Sequence, residues 1–282
     1  MNAKAVRMYG EMDLRLEKFE LPYIKEDEIL VKVMSDSICM STYKLAKQGK
    51  KHKRAPQDID INPVIVGHEF SGDIVQVGSK WADQFKVGQK FALQPALNYK
   101  GSLDSPGYSY RYCGGAATYC IIPHEVMELG CLLNYDGESY FNASLGEPMS
   151  CIIGGYHANY HTNKVNYDHE MGVKTSGNIL IMGGCGPMGL GAVSYGLCAD
   201  NKPKRIVVTD VDDAKITRAR EVITIEEAAA KGIELHYVNT AAMADPDTEL
   251  MAITEGHGYD DVFVYVPFTG DSWREEVDIH AV

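Results

Sequence analysis

The chain has 282 residues, 45% of them hydrophobic and 23% charged, and a formal net charge of −12 at pH 7. This length favours two domains of ~150 residues each, and the composition is ordinary for a globular protein. The acidic balance argues against nucleic acid or an anionic membrane as a partner. No apolar run approaches the ~18 residues of a membrane span, and the N-terminus lacks the apolar core of a signal peptide, so we expect a cytoplasmic protein.

The first half has the pattern of an antiparallel β domain. Short alternating or apolar segments, separated by glycine, proline and acidic residues, predict strands at AKAVRM, LRLEKFE, EILVKVM, FSGDIVQVGS, KFALQP and ATYCIIP. A short helix is expected at residues 40–49. This pattern is typical of an irregular barrel and not of repeating βαβ units.

The pattern changes near Leu145. Residues 146–161 are predicted to be helical, and a polar stretch follows to Gly177. Strands then alternate with helices: NILIMGG, RIVVTD, IELHYVN and DDVFVYV are the predicted strands. Such alternation predicts a parallel sheet with right-handed crossovers. We therefore place a domain boundary near residue 150, giving domains 1–150 and 151–282.

The turn GGCGPMG after the first of these strands contains Gly184, Gly186 and Gly189 in the spacing G-x-G-x-x-G, with Pro187 and Met188 opening the helix. Asp210 ends the next strand, 21 residues after the last glycine. This context predicts a dinucleotide site, with pyrophosphate at the helix N-terminus and ribose hydroxyls on the aspartate. The aspartate favours NAD(H) over NADP(H), although Lys215 or Arg218 nearby leaves a phosphate contact open. The alternative is an ordinary turn and a solvated aspartate.

Four residues are candidate metal ligands: Cys39, His68, Glu69 and Glu147. Catalytic zinc takes roughly three ligands from Cys, His and carboxylate. The spacing alone does not distinguish ligands from a buried cysteine or a satisfied core histidine. The seven cysteines are odd in number and scattered, with no C-x-x-C, so a disulfide framework is not expected.

The ordered run CMS, PVIVGHEFSG, GEP and the glycine-rich turn resembles the zinc-dependent medium-chain alcohol and polyol dehydrogenases, from the N-terminus to about Val266. The stretches SYRYCGGAATYCIIP and GYHANYH most resemble the L-sorbose-1-phosphate reductases of that family. The resemblance implies a GroES-like β-barrel that carries zinc, a Rossmann domain, and hydride transfer between NAD(P)(H) and a polyol or ketose. L-sorbose 1-phosphate and glucitol 6-phosphate are the expected substrate pair.

Carried over by position, the resemblance implies that Cys39, His68 and Glu147 bind the catalytic zinc, with Glu69 as a near-metal or exchange ligand. Ser41 would pass the proton, and the reaction would take place in the cleft between the domains. The family's usual relay histidine has no counterpart in CMSTYKL, and Lys44 is the candidate replacement. The stretch that holds a structural zinc in many relatives has one cysteine here, so a second zinc is not expected.

Residues 44–54, KLAKQGKKHKR, carry six basic side chains and no acidic one. They are either a solvated loop or a funnel for an anionic substrate. In the second case we expect a sugar phosphate to contact Lys44, Lys47, Lys51 or Arg54. Tyr110 and Tyr112 are further candidates for lining a substrate cleft.

Four strands of the second domain are predicted, whereas a full dinucleotide domain has about six. The resemblance fades over PFTGDSWREEVDIHAV, so we expect a C-terminally truncated relative whose full-length form is a homo-oligomer. Two alternatives to a sugar-phosphate dehydrogenase stay open. One is a non-catalytic zinc- or nucleotide-binding fragment, and the other is a dehydrogenase of unphosphorylated polyols or alcohols.

Overall fold

The computed structural model describes residues 1–163 and 165–266. The chain divides into two compact units, Met1–Pro148 and Met149–Val282. The C-terminal residues 267–282, over which the family resemblance fades, lie outside the described part. Within the described part, no helix is both long and apolar enough to cross a membrane.

The first unit is built mainly from eight short strands. These are β1 Asn2–Gly10, β2 Asp13–Glu20, β3 Ile29–Asp36, β4 Val64–Ile65, β5 Phe70–Val77, β6 Lys90–Leu93, β7 Tyr119–Ile122 and β8 Leu132–Asn134. Its helices are α1 Met40–Gln48, α2 His124–Glu128 and α3 Tyr140–Ser144, and α4 Gly146–Ala158 begins here and continues into the second unit.

Five strands form one antiparallel sheet in the order β7-β3-β5-β6-β8, and three form another in the order β2-β1-β4. Strand β3 pairs with β5 from Ile29↔Val77 to Asp36↔Phe70, and its register shifts between Val33 and Ser35, so that Met34 is an extra residue. Such a bulge bends and twists the strand, and bulges are common beside functional sites. Here the bent end of β3 leads directly to Cys39.

The core of the first unit lies on the inner face of the larger sheet. Ile29 and Val31 of β3 and Phe70 and Ile74 of β5 pack into this core, because residues two or four apart on a strand point to the same face. Phe70 meets Phe91 edge to face at a centroid distance of 6.0 Å. Burying each such side chain stabilises the unit by about 1.5–3 kcal/mol, which makes this sheet a rigid support for the loops at its ends.

The second unit alternates strands and helices. Its strands are β9 Tyr160–Thr162, β10 His169–Met171, β11 Asn178–Met182, β12 Arg205–Asp210, β13 Glu234–Asn239 and β14 Asp261–Val264. Its remaining helices are α5 Pro187–Gly196, α6 Asp213–Val222, α7 Ile225–Ala230 and α8 Pro246–Ile253.

Four of these strands form a parallel sheet in the order β13-β12-β11-β14. Both of its faces are covered. Ile181 and Val208 pack into a cluster that contains residues of α5 and α6, whereas Leu180 and Val207 pack with Leu250 of α8. Parallel sheets are stable when helices bury both faces. The predicted fold class, a barrel-type β domain with a parallel α/β sheet, is confirmed.

The prediction was wrong between residues 158 and 177. Helix α4 ends at Ala158, and Tyr160–Thr162 and His169–Met171 form an antiparallel hairpin within the supposed helix end and polar stretch. Both hairpin strands are largely exposed, so the apolar alternation that marks a half-buried strand is missing. The short helix α7 was not predicted for a similar reason, since only Ala228 of its six residues is buried.

Candidate functional site

Cys39 lies where β3 gives way to helix α1. It is the N-cap residue of α1, with extended φ and ψ of −101° and 141°, and its Sγ accepts a hydrogen bond from the Ser41 N–H at 3.4 Å. Backbone N–H groups at a helix N-terminus favour an anion, and the same setting lowers the cost of a thiolate. The fold therefore presents Cys39 in a position suited to a metal-ligating thiolate.

His68 and Glu69 occupy the loop between β4 and β5, and both are almost fully buried. Gly67 makes the loop possible because its φ is +90°, and its carbonyl accepts the Gly115 N–H at 2.7 Å. A Cβ on either glycine would lie 2.2 or 2.3 Å from a carboxylate oxygen of Asp36. The carboxyl of Asp36 thus fits between two glycines and fixes the backbone that carries the histidine and glutamate.

Three candidate ligand groups meet at the end of the β3–β5 pair. One ligand atom each of Cys39, His68 and Glu69 lies within 4.8 Å of the other two, and His68 Nε2 is 3.9 Å from Glu69 Oε1. Glu147, near the start of α4, is in side-chain hydrogen-bond contact with Glu69. The structure therefore brings all four predicted ligands together, with Glu69 in the tight cluster and Glu147 beside it.

Burial disfavours the charged form of three groups in this cluster. Burial raises the pKa of the Cys39 thiol and of the Glu69 carboxyl. Burial, and then the charge of Arg54, lower the pKa of His68 to about 4. Buried acids that lack a cation resist ionisation, whereas an imidazole must be neutral to ligate a metal. Thiolate, imidazole and carboxylate are the donors that zinc takes in open catalytic sites, so these residues fit zinc.

Tyr108 is part of the site and was not predicted. Its Oη lies 3.2 Å from His68 Nε2, its ring centroid is 4.7 Å from that of His68, and its hydroxyl is in hydrogen-bond contact with Ser41. Gly107 permits this approach, with φ +77°, because a Cβ there would lie 2.1 Å from the Gly67 carbonyl oxygen. Burial raises the pKa of Tyr108 to about 12, so its hydroxyl stays available as a donor.

The two tyrosines named from the sequence have other surroundings. Tyr112 stacks on Phe19 at 6.4 Å in a separate hydrophobic cluster, and Tyr110 packs against the main core of the first unit. In the sequence, only the preceding glycine, Gly107, could have pointed to Tyr108, because glycine is common where two backbone segments approach closely.

The two predicted relay residues differ in placement. Ser41, half-buried on α1, is in hydrogen-bond contact with both Cys39 and Tyr108. Lys44, one turn further along α1, is exposed. Burial lowers the pKa of His52, and the charge of Lys44 adds to this effect. His52 in turn stacks on Tyr108 at 5.7 Å.

The glycine-rich turn lies between β11 and α5 in the second unit, with Pro187 at the first helical position and Met188 after it. Its three motif glycines differ in what surrounds them. A Cβ on Gly184 would lie 2.6 Å from Val208, and one on Gly189 would lie 2.3 Å from the Gly184 backbone, whereas one on Gly186 would meet nothing within 4 Å. The first and third glycines therefore allow close packing, and the second leaves space against the backbone for a ligand.

Asp210 ends β12 and is buried beside this turn. Its carboxylate accepts hydrogen bonds from the Cys185 N–H at 3.3 Å and the Val211 N–H at 2.9 Å. It therefore braces the glycine-rich turn and lies at the strand end where a dinucleotide's ribose is bound in this kind of sheet. Lys215 and Arg218, which were considered as phosphate contacts, lie on α6 a few residues after Asp210, and both are exposed.

Comparisons with known proteins support the family resemblance that the sequence motifs predict. The family model for the alcohol dehydrogenase GroES-like domain matches residues 25–130. The solved structure of 2R,3R-butanediol dehydrogenase from Bacillus subtilis aligns with a TM-score of 0.71 at 24% identity, covering 93% of this chain and 70% of that one. At this identity the structural match shows the fold alone.

Two named relatives share more of the sequence. A mannitol-1-phosphate 5-dehydrogenase of Aliivibrio fischeri is 53% identical over 91% of this chain, and an L-sorbose 1-phosphate reductase of Klebsiella pneumoniae is 45% identical over 93% of it. The chain spans 60% and 63% of the length of these two relatives. The matching GroES-like model, the shared fold and these identities confirm the resemblance to the zinc-dependent medium-chain dehydrogenases that the sequence motifs predicted.

Proposed function

We propose that this protein is a zinc-dependent oxidoreductase that transfers a hydride between NAD(P)(H) and a polyol or ketose, with a phosphorylated hexitol and its ketose phosphate as the substrate pair. The observation that carries the proposal is the cluster of Cys39, His68 and Glu69, one thiol, one imidazole and one carboxyl within 4.8 Å of one another. The two relatives named for sugar-phosphate substrates support the substrate class.

The two parts of the chain would divide the work. Residues 1–150 would form the GroES-like zinc domain and residues 151–282 the dinucleotide-binding domain. Zinc, when bound, supplies a Lewis acid that polarises a carbonyl. In the second part, the open space at Gly186 would admit the pyrophosphate, and Asp210 would favour NAD(H) over NADP(H) because a 2′-phosphate would meet its negative charge.

The chain's own residues would hold and move the proton. Ser41 would contact the substrate oxygen and exchange a proton with it through its Oγ. Tyr108, in contact with Ser41 and protonated at neutral pH, would hold that hydroxyl in place. Lys44, one turn from Ser41 on α1, would continue the relay in place of the family's histidine.

Metal analysis is the first test. The wild-type chain should bind one zinc, and His68→Ala should lose it, because a buried site with two remaining ligands holds zinc poorly. His124→Ala is a matched control, since the half-buried His124 lies on α2, outside the cluster, with its Nδ1 3.3 Å from a carboxylate oxygen of Glu125. Zinc retained in full by His68→Ala would contradict the proposed site.

The same measurement distinguishes the two carboxylates. Glu69 belongs to the tight cluster and Glu147 touches it from outside, so Glu69→Gln should weaken zinc binding more than Glu147→Gln. The family resemblance predicts the opposite order, with Glu147 as the standing ligand. A larger loss in Glu147→Gln would therefore favour an exchange of the two carboxylates once the metal is bound.

Turnover is the second test. With zinc and NAD⁺, the chain should oxidise mannitol 1-phosphate or glucitol 6-phosphate, measured as NADH formation. Equal rates on the free hexitols would favour the dehydrogenase of unphosphorylated polyols. Zinc and NADH binding without oxidation of any of these compounds would favour the non-catalytic alternative.

A further inference from the structure

The basic segment 44–54 does not act as one uniform patch. Lys50 forms an ion pair with Asp60 at 2.6 Å, and Lys51 lies 4.0 Å from Glu11. All four of these side chains are exposed to a large degree. Such surface pairs contribute little to stability, but they occupy two of the positive charges with partners from the protein itself.

Arg54 has a different environment. It is half-buried, its Nη1 donates a hydrogen bond to the Leu103 carbonyl at 2.9 Å, and its own carbonyl accepts one from the Ser109 hydroxyl at 2.7 Å. Its Cζ lies 5.6 Å from the centre of the Tyr108 ring. Among the residues that the structure describes, no carboxylate forms an ion pair with it. The guanidinium is thus held in place without an anionic partner.

This charge is close to the candidate metal site. The ring centres of Tyr108 and His68 are 4.7 Å apart, so Arg54 Cζ lies no farther than about 10 Å from the His68 ring. A fixed cation beside a metal site repels the metal, and an anion bound between them would offset that repulsion.

We propose that Arg54 is the residue that binds the substrate's phosphate group, and that it thereby selects phosphorylated over free polyols. This inference rests on the proposed function and assigns a specificity-determining residue within it. Of the four basic residues that the sequence left as candidates, Arg54 alone contacts Tyr108, whose hydroxyl meets His68.

The chemistry of the side chain fits this role. A guanidinium offers five N–H donors in a planar fork that matches two phosphate oxygens. One nitrogen of Arg54 is engaged by the Leu103 carbonyl, which orients the fork and leaves other donors for a ligand. In L-sorbose 1-phosphate the phosphate-bearing carbon is bonded to the carbonyl carbon, so a carbonyl held at the metal cluster would keep the phosphate on the same side as the nearby guanidinium.

The test compares two ligands in three zinc-loaded variants of the chain. Binding of glucitol 6-phosphate and of glucitol is measured by calorimetry, and oxidation of both by NADH formation. Arg54→Ala should weaken binding of the phosphate ester by about 10- to 100-fold, as expected for lost charged hydrogen bonds, and change binding of glucitol less than about twofold. Arg54→Lys should restore part of the loss, because it keeps the charge and not the fork.

Lys53→Ala is the matched control, since it removes the same charge from the neighbouring, exposed position. It should leave binding of the ester within about threefold. Equal losses in Arg54→Ala and Lys53→Ala would overturn the inference in favour of a general charge effect. An equal loss of both ligands, or of zinc, in Arg54→Ala would overturn it in favour of a structural role.

The outcomes also separate the inference from the proposed function. A wild-type chain that binds and oxidises polyols without preferring the phosphate ester would overturn the role of Arg54 and leave a zinc-dependent polyol dehydrogenase. A wild-type chain that binds zinc but neither ligand would overturn the proposed function itself, and the inference with it.

Discussion

Two substitutions in the glycine-rich turn should have different effects, one on the stability of the protein and the other on its affinity for NADH. Gly189→Ala would place a methyl group 2.3 Å from the Cα and carbonyl oxygen of Gly184, and both are backbone atoms. Ordinary contact begins near 3.4 Å, so the turn and the helix must separate by about 1 Å. Overpacking of this kind costs about 3 kcal/mol, and replacing a helical glycine by alanine recovers about 1 kcal/mol. We expect a net loss of about 2 kcal/mol.

Gly186→Ala is the matched variant. Gly186 has φ −89° and ψ 177°, which alanine adopts freely, and its Cβ would meet no protein atom within 4 Å. The free energy of unfolding should therefore change by less than about 0.5 kcal/mol. The new methyl group would occupy the space proposed for the pyrophosphate, so the affinity for NADH should fall by about tenfold or more.

Urea unfolding and NADH fluorescence measure the two effects. With a slope of about 2 kcal/mol per molar urea, Gly189→Ala should lower the midpoint by about 1 M, and Gly186→Ala should not move it. An unchanged midpoint in Gly189→Ala would refute the argument from close backbone packing. Unchanged NADH affinity in a folded Gly186→Ala protein would refute the assignment of this turn to the dinucleotide.

Three further predictions concern stability. Tyr156→Phe should lower the free energy of unfolding, measured in urea, by about 1 kcal/mol, because the buried Tyr156 hydroxyl donates to a backbone carbonyl at 2.7 Å. Tyr195→Phe should lower it less, because it loses only an exposed hydrogen bond to His157. Burial lowers the pKa of His52 below 6.5 in the folded chain, so the unfolded chain binds a proton on this residue first as the pH falls. The free energy of unfolding should therefore decline below pH 6.5, and His52→Gln should flatten that decline. Chelation of zinc should lower the melting temperature, and added zinc should restore it in wild type but not in His68→Ala, as calorimetry would show.

The parallel sheet could be predicted because its two central strands, β11 and β12, are almost wholly buried and rich in apolar residues. All six residues of β12, for example, are buried, and turn residues flank the run. The hairpin β9–β10 could not be predicted, because its strands expose most of their side chains and show no apolar alternation. Local patterns thus predicted the elements that bury a face and missed those that do not.

The candidate site was predictable in its residue types and less so in its arrangement. Motif positions identified Cys39, His68 and both glutamates, because related sequences carry their candidate ligands at matching places in the same motifs. Which glutamate joins the tight cluster depends on how α4 meets the loop after β4, and spacing does not contain that information. Tyr108 was missed because its contact with His68 arises from the approach of two loops 40 residues apart.

The extra residue in β3 has a consequence for how the site tolerates change. Met34 is 45% exposed and contributes little to the core, yet its backbone determines the register in which the bent end of β3 pairs with β5. Because side chains alternate between faces with every residue, deleting Met34 would turn the chain leading to Cys39 by one position relative to the loop that carries His68. The alignment of thiol and imidazole therefore depends on a count of residues along one strand, so that a solvent-facing side chain can be replaced freely while its backbone position cannot be removed.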